Sequence, residues 1–141
     1  MSLAVRPAGQ DDIAALVAAD SLAQIHAGRR IEIAYWVENG QCFLAEDDAR
    51  VVGYTVLTRT FFHSFFIELV MVHEENRRAG VGTAMIEHII SLVPPGEKLW
   101  TSTNTSNAPM RRLLEGLGFI ESGRIDNLDD DGPELVFVRL P

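Results

Sequence analysis

Seven consecutive residues, Arg77-Arg78-Ala79-Gly80-Val81-Gly82-Thr83, set two guanidinium groups and two glycines immediately ahead of an amphipathic stretch. Such a turn suits an anion. The first turn of a helix leaves about four N–H groups without intrahelical partners, and the aligned peptide dipoles put roughly half a positive charge there. Gly80 and Gly82 carry no Cβ, so phosphate oxygens can approach the main chain, while Arg77 and Arg78 add charge from the rim. The chemistry that fits is the holding of a pyrophosphate. It is not a P-loop, because Gly82 is followed by Thr83-Ala84 rather than by Lys and a hydroxyl residue. A dinucleotide fingerprint fits poorly as well, since Met85 stands where a third small residue belongs and Ser102 where an acid is needed. On these residues alone an ordinary glycine-assisted helix start remains the alternative.

The elements around the turn follow from periodicity. Leu3 to Arg6 alternates as a short strand, and Asp11 or Asp12 can start a helix carrying Ile13, Leu16, Val17 and Leu22. A second helix spans about Arg29 to Val37 and Gly40 closes it. Gln41 to Ala45 and Arg50 to Arg59 read as strands joined by the acidic turn Glu46-Asp47-Asp48, and Phe65 to Val72 reads as a third strand of that meander. Gly82 to Val93 is an amphipathic helix ended by Pro94-Pro95-Gly96. Lys98 to Thr103 is a strand, and Asn107 to Gly116 a helix with Asn107 as N-cap. Phe119 to Asp126 and Glu134 to Leu140 close the chain as two strands around Asp131-Gly132-Pro133. The order is βααβββαβαββ. Strand, helix, strand from Phe65 to Thr103 is a βαβ crossover, which makes its two strands parallel near-neighbours in an otherwise antiparallel sheet.

At 141 residues and 47% hydrophobic, the chain matches one domain, residues 1–141, with enough core to fold without metal or disulfide staples. Cys42 is the only cysteine, which excludes an internal disulfide and fits a reducing, cytoplasmic setting. Met1 to Arg6 lacks the apolar core of a signal peptide. The region Phe61 to Val72 is interrupted by His63, Ser64 and Glu68, so neither secretion nor a membrane span is expected. A formal charge of −8 argues against nucleic acid and mildly favours the approach of a cationic molecule. His26, His63, His73 and His88 lack ligand spacing, so no metal is expected.

The element order together with Arg77-x-x-Gly80-x-Gly82 resembles the GNAT superfamily of acyl-CoA-dependent N-acyltransferases, whose signature is Gln/Arg-x-x-Gly-x-Gly/Ala. A second segment agrees: Asn107, Leu113 and Leu117-Gly118-Phe119 look like the family's Asn after the fifth strand and its helix ending in Leu-Gly-Phe. The likeness runs from Leu3 to Leu140. It implies an α+β fold with a mixed, mostly antiparallel sheet of six to seven strands and four helices, splayed at one parallel crossover. It further implies acetyl-CoA as cosubstrate, its pyrophosphate on Arg77, Arg78, Ala79, Gly80, Val81, Gly82 and Thr83. Pantetheine would then bond main chain near Met71 and Val72 as an added strand. Asn107 matches a position that contacts pantetheine or sulfur, though a capping role explains it equally well.

The resemblance implies direct transfer of acetyl to a primary amine, a small molecule or a protein amine. The catalytic positions depart from the family. Leu114 stands where many relatives have a Tyr that protonates the leaving thiolate, and Ser102 where some have a Glu base. The remaining carboxylate in that neighbourhood is Glu68. Partial desolvation within Ile67-Glu68-Leu69-Val70 would raise its pKa towards the operating pH and suit it to act as base through water, or it pairs with an Arg at the rim. His73 is a strand-end residue close to the expected cofactor. Tyr54, Ser102, Asn104 and Ser106 are placed to border an acceptor cleft, and the Trp36 helix and the turn Phe61-Phe62-His63-Ser64 to set acceptor specificity. The missing Tyr and Glu keep a non-catalytic acyl-CoA sensor as the alternative. A homodimer would cover the edge expected at Glu134 to Leu140.

Overall fold

In the computed structural model, which describes residues 2–141, strand β1 (Leu3–Pro7) leads through a 3-10 turn into helix α1 (Ile13–Ala19). The periodicity predicts one helix reaching Leu22. Instead α1 stops at Ala19, because Asp20 turns extended (φ −105°, ψ 108°) and its carboxylate accepts from Leu22 N at 2.9 Å, opening a separate 3-10 turn at Leu22–Gln24. A short acidic side chain offers the backbone this alternative to a helix. Helix α2 (Ala27–Glu38) buries Ile33, Trp36 and Val37 and leaves Ile31 and Tyr35 outward.

Strands β2 (Cys42–Asp47), β3 (Arg50–Phe61) and β4 (Ser64–Val72) follow. Their two-residue turns, Asp48-Ala49 and Phe62-His63, have φ of 50°, 67°, 51° and 61°. Positive φ at both positions gives the turn whose twist matches the flanking strands. Glu46 and Asp47, expected in the first turn, are therefore the end of β2. A 3-10 turn at Glu74–Asn76 precedes helix α3 (Val81–Leu92), then come β5 (Leu99–Asn104), helix α4 (Ala108–Gly116), β6 (Ile120–Asp129) and β7 (Gly132–Arg139). Gly132 and Pro133 belong to β7, so the final turn is Asp130-Asp131 rather than the Asp-Gly-Pro triplet.

The seven strands lie in the order β1-β2-β3-β4-β5-β7-β6. β4 and β5 are parallel, joined through α3, whereas β1–β2, β2–β3, β5–β7 and β6–β7 are antiparallel. The mixed sheet with four α-helices and one parallel crossover is the expected fold. One expectation is corrected: the terminal strand is not the sheet edge. β7 folds back inside β6 to pair with β5, and the penultimate strand, exposed along its whole length, becomes the edge.

The chain divides into two compact units, the residues up to Leu57 with Leu69–Ile89, and Thr58–Glu68 with Ile90–Pro141. In the first, Leu16, Ile33, Trp36, Leu44, Tyr54 and Val56 form one core cluster, and Ala45, Val52, Val81 and Met85 another. In the second, Ile67, Leu99, Leu114, Phe119 and Leu135 to Val138 are buried. Among the described residues no helix is long and apolar enough to cross a membrane.

Candidate active site

The turn between β4 and α3 has the backbone that an anion site needs. Arg77 is extended (φ −64°, ψ 145°), whereas Arg78 and Gly80 have φ of 67° and 82°. At Gly80 a Cβ would meet nothing within 4 Å, so the requirement for glycine there is conformational, and the space beside it is open. The first bond of α3 runs from Ala84 N to Gly80 O at 3.0 Å. The N–H groups of Val81, Gly82 and Thr83 therefore precede any intrahelical acceptor. Arg77 and Arg78 are exposed, and neither forms an ion pair among the described residues. The nearby Glu75 is engaged by Arg50 at 2.9 Å, whose hydrogen bond holds it below the usual carboxylate range. Three main-chain donors, two uncommitted guanidinium groups and open space at Gly80 fit a pyrophosphate.

The strand leading into this turn is built to accept a partner on one side. On the β3 side its backbone is engaged: Thr55 Oγ1 donates to Leu69 O at 2.8 Å, and His73 N donates to Val52 O at 2.8 Å. A Cβ at Gly53 would lie 2.7 Å from Met71 O, so β3 approaches β4 there only because position 53 is glycine. Pairing with β5, by contrast, runs from Phe65↔Leu99 to Ile67↔Thr101, although β4 continues to Val72. Met71 and Val72 are half-buried.

Glu68 is exposed, so the free protein does not give it the desolvation that the apolar neighbours suggested. Asn107 is exposed and caps α4, its Oδ1 accepting from Met110 N at 3.2 Å. Leu114 is 1% exposed and belongs to the core. Ser102, at the position of the family's Glu, is half-buried and donates from Oγ to Glu134 Oε2 at 2.8 Å. Asn104 Nδ2 donates to Gly132 O at 3.0 Å, and its Oδ1 accepts from Ser106 N at 2.9 Å. His73 Nδ1 accepts from Glu75 N at 3.2 Å, which caps the 3-10 turn and places the neutral ring's proton on Nε2.

Tyr54 does not border a cleft. It is fully buried, and its hydroxyl donates to Asp20 Oδ2 at 2.5 Å, with Arg29 Nη1 3.0 Å from the same oxygen. Burial, reinforced by the Asp20 contact, pushes the Tyr54 hydroxyl far above its ordinary range. Trp36 is likewise core, 7% exposed. Two relationships escaped the sequence, Asp20 with Tyr54 and Ser102 with Glu134, because each joins residues far apart in the chain. Two signals pointed towards them: an Asp interrupting an apolar period, and an acid at the start of a strand that pairs with β5. Among the described residues no three His, Cys, Asp or Glu side chains gather as a metal site.

A mixed sheet whose parallel pair is bridged by a helix opening on a glycine and arginine anion turn defines an acetyltransferase. The chain belongs to the acetyltransferase (GNAT) family, whose model matches residues 12–119. With the family comes acetyl-CoA as cosubstrate. The structure is similar to a GNAT-family acetyltransferase from Bacillus cereus at 29% identity and TM-score 0.91, covering 99% of this chain and 98% of that one. It is also similar to the ribosomal-protein-S18-alanine N-acetyltransferase of Escherichia coli (19% identity, TM-score 0.82, 99% and 94% covered). A third similar structure is a streptothricin acetyltransferase from Bacillus anthracis in complex with acetyl coenzyme A (17%, TM-score 0.80, 100% and 99% covered). No curated protein matches the chain.

Proposed function

We infer that the protein transfers the acetyl group of acetyl-CoA directly to a primary amine. The observation that carries the reading is the turn at Arg77 to Thr83, where three unpartnered amides and two free arginines meet open space beside Gly80. Those residues would hold the pyrophosphate, and the β4 main chain at Met71 and Val72 would hold pantetheine, as an added strand on the side where the β5 register has ended. When bound, acetyl-CoA supplies an activated thioester. The chain's own part is to position it, and effective molarities of about 10⁵ to 10⁸ M can come from positioning alone. Main-chain donors near Val72 would polarise the carbonyl. Glu68 is exposed on β4 and would accept the amine's proton through water, while Asn107 would lend its side chain to the pantetheine end.

Structures with this fold include enzymes named for a protein α-amine and for a small-molecule antibiotic, so the acceptor is placed in neither class. The formal charge of −8 favours a cationic acceptor. The single, buried cysteine suits a cytoplasmic setting. A second reading, an acyl-CoA sensor without turnover, is favoured by one observation: a core leucine, Leu114, occupies the family's general-acid position. Thiol release from acetyl-CoA in the presence of primary amines separates the two. Amine-dependent release supports the transferase, whereas saturable binding with no release from any amine supports the sensor.

A further inference from the structure

Strand β5 has two unlike sides. Leu99, Thr101 and Thr103 are buried, while Trp100, Ser102 and Asn104 are half-buried on the other side. The antiparallel register sets Val136 opposite Ser102 and Glu134 opposite Asn104, so Glu134 shares the half-open side with Ser102. The two meet diagonally, with Ser102 Oγ donating to Glu134 Oε2 at 2.8 Å. Asn104 is spent on Gly132 O and Ser106 N. Glu134 thus has one neutral donor, no cationic partner among the described residues, and the buried Val136 and Leu135 beside it. A half-buried carboxylate in that position is short of a positive charge.

We propose that the Ser102–Glu134 pair receives the acceptor's ammonium group and takes its proton. This rests on reading the chain as an amine acetyltransferase. An alkylammonium cannot attack a carbonyl until it loses a proton. In the proposed step the ammonium donates to Ser102 Oγ, whose own proton is already directed at Glu134 Oε2. As an N–H proton passes to Oγ, the hydroxyl proton passes to the carboxylate. The nitrogen recovers its lone pair, Ser102 ends as it began, and Glu134 becomes neutral. The nitrogen then bonds to the acetyl carbon as the C–S bond breaks, and half-exposed Glu134 returns its proton to solvent. A carboxylate is in this way restored from β7 to the strand position where Ser102 has replaced one. The chemistry selects amines that arrive charged over neutral aryl amines.

The experiment uses the whole chain with acetyl-CoA and three probes, n-butylamine, spermidine and a tetrapeptide with a free N-terminal alanine, following thiol release from pH 5.5 to 9. Wild type is expected to show an acidic limb in kcat/KM with at least one probe. Glu134→Gln should lose that limb and about 100-fold in kcat, and Ser102→Ala should fall comparably, each with acetyl-CoA affinity within twofold of wild type and an unchanged melting temperature. Glu134→Asp should recover part of the rate. Unchanged kcat and pH profile in either Glu134→Gln or Ser102→Ala overturns the proposal while leaving the transferase reading intact. Wild type that releases no thiol with any probe overturns that reading, and the proposal with it.

Discussion

Tyr54 and Asp20 lie 34 positions apart, yet the tyrosine hydroxyl donates to the aspartate at 2.5 Å, with no solvent exposure of either residue. Arg29 Nη1 completes the group, 3.0 Å from the same carboxylate oxygen and 3.5 Å from the hydroxyl, while the other oxygen accepts from Leu22 N. The cluster ties the end of α1 and the start of α2 to the middle of β3. Replacing Arg29 by Met would leave a buried carboxylate without its cation, which costs about 3–5 kcal/mol. Tyr54→Phe removes one of the remaining donors and should cost about 1–3 kcal/mol. Urea unfolding of both variants measures this, and losses under 0.5 kcal/mol for each would show that the cluster is not a structural clamp.

The approach of β3 to β4 rests on a missing side chain. A Cβ at Gly53 would sit 2.7 Å from Met71 O and 3.2 and 3.3 Å from Val81 Cγ1 and Met85 Cε. Gly53→Ala should therefore displace β4 at Met71 and cost about 1–3 kcal/mol by overpacking. Acetyl-CoA affinity should fall with it, because Met71 and Val72 are proposed to hold pantetheine. Thermal melting and titration of the same variant test both effects, and loss of stability with unchanged affinity would separate β4 from the cosubstrate.

Cys42 is 1% exposed, and burial pushes its thiol up to about 12. In the unfolded chain the thiol ionises near its ordinary pH of about 8.5, so the folded state loses ground as pH rises through that value towards the folded one. Two outcomes are expected: no reaction with a thiol reagent at pH 8 without denaturant, and a fall in unfolding free energy above pH 9 that Cys42→Ala reduces. Rapid labelling of the native protein would contradict the burial.

At the other end of the pH scale Asp12 is held below the usual carboxylate range by hydrogen bonds from Arg6 and from Gly9 N. Because its folded pKa is depressed, the stability it brings is present above the ordinary carboxylate pKa and is lost as pH falls through the folded value. Arg6→Ala should flatten the acid side of the stability curve. An unchanged curve would assign acid sensitivity to other groups.

The order of elements and the anion turn were legible because both are local: periodicity marks strands and helices, and Gly80 and Gly82 ahead of Val81, Met85 and Ile89 mark a helix that opens on a ligand. What was not legible depended on register. Which closing strand forms the edge is decided by β7 pairing with β5, and Glu134 reaches Ser102 only through that pairing. The end of α1 was missed because Asp20 is spent on Tyr54 and Arg29, partners that no helical period reveals. Glu68 was read as desolvated from its neighbours, but alternation along β4 turns it away from the side that buries Ile67.

The central claim is that the turn between β4 and α3 holds acetyl-CoA, and calorimetric titration of wild type beside the Arg77→Ala/Arg78→Ala variant tests it most directly. The account predicts saturable binding of one acetyl-CoA per chain, with affinity in the range of about 1 μM to 1 mM typical of enzyme substrates. It further predicts binding about tenfold or more weaker in the double variant, with the difference shrinking as salt is raised. Absence of binding in wild type, or equal affinity in the two proteins at low salt, would contradict it.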